Sequence, residues 1–90
     1  MPNARFSEEE LQAILSKLKI TLHGTIRQCK ALTSNIGVKV RLAQIELTLK
    51  NPESIEGTTV DKLNAFQLML NEVKAFIKAI EEGSQDRLAA

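Results

Sequence analysis

Two side chains in this 90-residue chain are suited to nucleophilic or acid–base chemistry, and each type occurs once: His23 and Cys29. An imidazole can accept a phosphoryl group or relay a proton, and a thiolate can attack carbon or bind a metal. Neither has the company that such work requires. Side chains six positions apart fall on different sides of a helix, so no Cys–His pair is suggested. One Cys and one His do not make a metal-site spacing either. Cys29 also falls on an apolar seam, where a free cysteine serves as a small hydrophobe. Arg27 and Lys30 beside it would lower the pKa of an exposed thiol. There is no glycine-rich phosphate loop, no G-x-S-x-G elbow and no arrangement of paired carboxylates. The chain is expected to be non-catalytic, without a cofactor or a bound metal.

The stretch Leu22-His23-Gly24-Thr25-Ile26-Arg27-Gln28 resembles the phosphoacceptor helix of one class of histidine-kinase dimerisation domains. There a helix carries L-H-D-x-x-x-Q and is followed by a second helix, and two such hairpins pair into a four-helix bundle. The resemblance implies His23 as phosphoacceptor and Gln28 as its hydrogen-bonding helper, which is the alternative functional reading. Gly24 stands where that family has an acid that orients the histidine and takes its proton, a role glycine cannot fill. The arginine-rich approach to the histidine and an ATP-binding domain are missing too.

A second alternative rests on charge. The net charge is only +1, but residues 11–45 hold Lys17, Lys19, Arg27, Lys30, Lys39 and Arg41 with no Asp or Glu. Such a patch can contact nucleic-acid phosphates. These residues are spread round the helix, however, without interleaved aromatics for stacking bases, and the pI is near neutral at 7.9. Nucleic acid is therefore not the expected partner. Residues 51–90 carry seven acids against four bases. Opposed charge in the two halves favours folding back antiparallel.

The elements that position these residues are helical. Leu11, Leu15, Leu18, Leu22, Ile26, Cys29, Thr33, Ile36, Val40, Ala43 and Leu47 recur at steps of three and four, which lines one face of an α-helix. Ser7 followed by Glu8, Glu9 and Glu10 is a helix start, with Glu10 as the capping-box partner. Asn51-Pro52 ends the segment, because proline disfavours the α conformation in the residue before it. Residues 51–58 form a loop, and Thr58 or Thr59 caps a second main helix over 59–82. Val60, Leu63, Phe66, Leu70, Val73, Ile77 and Ile80 line its buried face, widened by Met69 and Phe76, and Gly83 ends it. Residues 1–6 and 83–90 read as a loose and a frayed tail.

Whether 7–50 is one helix or two turns on Gly24, where two steps of four meet. A break there gives helices over about 7–23, 25–50 and 59–82. A stutter gives one long helix, straight or kinked, of about 65 Å at a rise of ~1.5 Å per residue. The resumed phase after Gly24 favours the long helix, and Ser34, Asn35 and Gly37 mark a second weak spot. Residues 38–49 also alternate like strands, but Ala43-Gln44 is no turn. As a helix this segment shows two apolar stripes, 36/40/43/47 and 38/42/45/49, so it needs more than one neighbour.

Composition fits this picture. The hydrophobic (43%) and charged (26%) fractions are those of a soluble globular chain, and three Phe with no Trp or Tyr leave an aliphatic core. Ninety residues make one small domain whose burial is marginal, and association is an ordinary remedy. No apolar run approaches the ~20 residues of a membrane span, no signal peptide is expected, and a single cysteine fits a cytoplasmic location. The expectation is an all-α protein: an antiparallel helical hairpin or three-helix up-down bundle, associating through the Ile26–Leu47 face into a larger, coiled-coil-like bundle. Its function would be protein–protein interaction, as a small regulator, adaptor or secretion-type chaperone. Ile36, Val40, Leu42, Ile45, Leu47 and Leu49 are the expected contact residues, divided between the core and a partner chain. That partner would be a protein, in a homodimer or hetero-oligomer, with no membrane and no small-molecule substrate.

Overall fold

The computed structural model describes residues 6–83 and is all-α, with three helices: α1 (Glu8–Leu32), α2 (Ile36–Lys50) and α3 (Thr59–Glu81). The tails expected at 1–6 and 83–90 lie, apart from Phe6 and Gly83, outside these residues. Of the two architectures expected, the three-helix up-down bundle is the one observed.

Helix α1 starts where the serine and its acids place it. The Ser7 hydroxyl accepts from the Glu10 backbone N–H at 3.2 Å, and the Glu10 carboxylate accepts from the Ser7 N–H at 2.8 Å. The helix runs uninterrupted through Gly24, so neither a break there nor a 7–50 helix is present. The chain breaks instead at Thr33-Ser34-Asn35. Thr33 takes an extended backbone, and the Asn35 side chain accepts from the Val38 N–H at 3.1 Å, capping a new helix. The residues marking the second weak spot are the ones that decide the architecture.

After α2 the chain turns through a short 3₁₀ segment at Pro52–Ser54. It enters α3 through a second capping box, Thr58 with Asp61. Gly57 immediately before it has φ +117°, and a Cβ there would lie 2.2 Å from the Asp61 carboxylate, so the cap needs glycine at this point. At the other end of α3, Gly83 with φ 79° follows the last turn, donating to the Ile80 carbonyl at 3.0 Å.

Helices α1 and α3 run in the same direction. Their first turns are side by side: the Thr59 hydroxyl donates to the Glu8 carboxylate, and the Gln12 amide donates to Thr59 at 3.3 Å. The antiparallel packing expected of the two charged halves is therefore not how α1 meets α3; only α2 runs the opposite way, resting against a directly packed α1–α3 pair. The core is Leu15, Leu22, Ile26 and Cys29 of α1, Val38, Leu42 and Ile45 of α2, and Phe66, Leu70, Val73 and Ile77 of α3. Leu63, Met69, Phe76 and Ile80 pack against its edge. Val60, expected inside, is 46% exposed, and Thr59 takes the buried place beside it.

At ~1.5 Å per residue, α2 is about 22 Å long and α1 about 37 Å, so α2 covers only part of the α1–α3 pair. Residues 51–58 continue down the rest, with Ile55 packed against the core.

Candidate functional site

The continuous seam expected from Leu11 to Leu47 divides at the Thr33–Asn35 break. Up to that point it is the core face: Leu22, Ile26 and Cys29 are fully buried and Thr33 is nearly so. Beyond it the same spacing faces water. Ile36, Val40 and Leu47 are 76%, 52% and 68% exposed, and Ala43 between them is exposed as well. Buried Ile26 therefore shares no surface with Leu47, and the expected Ile26–Leu47 face is not one surface: of its residues only those on the outer side of α2 lie in the open. Of the six expected contact residues, Leu42 and Ile45 are core and Leu49 is half-buried against it. Ile36, Val40 and Leu47 remain on the surface.

The orientation of α2 is fixed from both sides by charge. Toward α3, Arg41 forms a bidentate pair with Glu72, Nε to Oε2 at 2.7 Å and Nη2 to Oε1 at 2.9 Å. This hydrogen-bonded guanidinium holds the Glu72 carboxyl below the usual carboxylate range. Arg41 also reaches Gln44 at 3.3 Å. Toward α1, the Lys30 ammonium meets the Glu46 carboxylate at 2.8 Å. With Arg41 and Glu46 turned to opposite neighbours and 38/42/45/49 turned inward, the 36/40/43/47 stripe is left pointing straight out of the bundle.

The chemistry-bearing residues do not converge. His23 is exposed, in an open cleft of about 320 Å³ with Ser16, Lys19, Ile20, Leu49 and Lys50. No carboxylate lines it that could take the imidazole proton. Gln28 is exposed and forms no hydrogen bond to His23 among the described residues. Cys29 is fully buried, which pushes its thiol pKa up and keeps it from the thiolate form. Among the described residues no cluster of three or more His, Cys, Asp or Glu could hold a metal ion, and no helix is long and apolar enough to cross a membrane.

The six basic residues do not form one surface either. Lys30 and Arg41 are engaged by Glu46 and Glu72. Lys17 falls on a different side of α1 from Lys19, so the stretch does not present all its charges together.

Two exposed apolar features were not singled out from the sequence. Ile20 and Leu68 are 73% and 69% exposed. A shallow groove of about 400 Å³ lies between the starts of α1 and α3, lined by Phe6, Leu11, Ile14, Leu18, Val60 and Leu63. Its signal was available: Leu11 and Leu18 of the main seam and Val60 and Leu63 of the α3 face fall at the start of each helix, and Ile14, one turn from both Leu11 and Leu18, widens the α1 side. Comparison of the chain with protein families, curated proteins and solved structures finds no match in any of the three.

Proposed function

We propose that this chain is a non-catalytic protein–protein interaction module whose contact surface is the outer face of α2. The observation that carries the reading is the Ile36, Val40, Ala43 and Leu47 stripe, exposed on a helix whose other apolar stripe already fills the core. Scattered exposed hydrophobics are ordinary, but a continuous stripe at 4-3-4 spacing is the pattern by which one helix receives another. The short break at 33–35 and the two flanking ion pairs hold that stripe in place before any partner arrives, which lowers the ordering cost of binding.

Site-directed photo-cross-linking in cells tests this. A benzophenone amino acid placed at Val40 or at Leu47 should give a discrete protein adduct, and the same group at exposed Lys17 or Lys78 should not. Absence of an adduct at 40 and 47, or equal labelling at the control positions, overturns the reading.

A further inference from the structure

We infer that the occupant of this face is a second copy of the chain, its α2 packed antiparallel against the first; this rests on the interaction reading above and names its partner. The seam steps 36, 40, 43, 47 are symmetric about a point between Val40 and Ala43. A two-fold axis through that point sets Ile36 against Leu47 of the second copy and Val40 against Ala43. Large side chains then meet at the two ends, and a small one meets a medium one at the centre, where the axes must approach most closely.

Charge selects the second copy and its direction. Lys39 and Glu46 lie seven residues apart on the same flank of the seam, and Gly37 and Gln44 occupy the other flank. When two copies pair antiparallel, like flank faces like flank. Lys39 then reaches Glu46 of the second copy, and the two-fold repeats the pair, giving two bridges from one relation. The opposite flank brings only uncharged groups together. A parallel pairing sets Lys39 near Gln44 and Glu46 near Asn51, with no bridge in either place. Lys39 has no ion-pair partner among the described residues, and Glu46 is already ordered by Lys30, so the incoming ammonium meets a prepared carboxylate. A contact limited to a helix of about 22 Å falls short of the ~800 Å² per partner typical of stable complexes, so the dimer should dissociate on dilution.

Sedimentation equilibrium of the full chain over a dilution series, with circular dichroism on the same samples, tests the proposal. The expected result is a monomer–dimer equilibrium that Val40→Glu shifts to monomer with helicity retained. Should Val40→Glu disturb folding, Leu47→Gln provides the milder version. Lys39→Glu and Glu46→Lys should each self-associate about tenfold more weakly, because each turns two attractions into repulsions. Mixing these two variants should restore dimers, since both cross-pairs are then complementary. A monomer at every concentration overturns the second copy, while an adduct at 40 or 47 to another protein would leave the interaction reading standing. A dimer indifferent to Val40→Glu and Leu47→Gln overturns this face. A dimer lost in Val40→Glu but insensitive to the 39/46 exchange overturns the antiparallel pairing.

Discussion

Helix α2 carries two apolar stripes of the same length and spacing, and they live in opposite environments. Val38, Leu42, Ile45 and Leu49 turn into the bundle, while Ile36, Val40, Ala43 and Leu47 turn to water. Periodicity fixes side chains relative to one another on a helix, but it does not fix the rotation of that helix against its neighbours. Two other terms settle the rotation here. The inner stripe has Ile, Leu and Val where the outer one includes an alanine, and the extra buried carbon is worth on the order of 2 kcal/mol at ~0.8 per methylene. The ion pairs of Arg41 and Glu46 then fit only one rotation, since each must face a different neighbour.

The largest expected effect is the contrast between the stripes themselves. Leu42 is fully buried, so Leu42→Ala should destabilise the fold by about 2–5 kcal/mol, a large share of the ~5–15 kcal/mol of a whole domain. Leu47, 68% exposed, should tolerate the same change within about 0.5 kcal/mol below the dimer's dissociation range. Urea denaturation followed by circular dichroism at low concentration measures both. Equal losses would mean that the inner and outer assignments do not hold.

The two breaks considered from the sequence separate next, and they should separate in sign. Gly24 sits inside α1, and a Cβ there meets nothing within 4 Å, so Gly24→Ala should stabilise by about 0.5–1 kcal/mol. Asn35 caps α2 with its side chain, so Asn35→Ala should cost about 1 kcal/mol. Paired melts of the two variants against the parent read this directly. A destabilising Gly24→Ala would indicate that α1 is interrupted there after all.

These two residues also show how far the sequence could be read. The helical class, the capping box at Ser7, the proline stop and the core positions of α1 and most of α3 followed from local rules, because each depends on neighbours within a turn or two. The glycine drew attention as a helix breaker, yet a lone exposed glycine costs a helix only about 1 kcal/mol, which the buried face of α1 outweighs. The asparagine was the better signal. Its side chain serves as an N-cap, and Thr33 before it suits the extended backbone it adopts. Which of the two α2 stripes would face water was not legible, since Ile36 to Leu47 keep their 4-3-4 spacing from Thr33 across the break. Only the reorientation of the chain at 33–35 takes them out of the core. The parallel run of α1 and α3 follows from that same turn, so counting helices wrongly would also reverse their direction.

The smallest effect concerns the bridge that holds α2 to α3, and it carries a pH signature. Bonding from Arg41 lowers the Glu72 carboxyl below its ordinary 4.5, so the folded state favours the ionised form. A carboxyl whose folded pKa is depressed contributes stability that is complete above its unfolded value and disappears as pH falls through the folded one. Both partners are more than a third exposed, at 41% and 35%, so solvent screening reduces the contribution to roughly 0.5 kcal/mol. Glu72→Gln should therefore lower the melting temperature by about 2–4 °C at pH 7. That difference should shrink as the pH is taken down through 4.5 and below. Glu8, held low first by Thr59 and then by Gln12, titrates in both proteins and cancels from the comparison. A difference that persisted unchanged to pH 2 would mean that Glu72 acts by packing rather than by charge. The rotation of α2 would then rest on the size of its inner stripe alone.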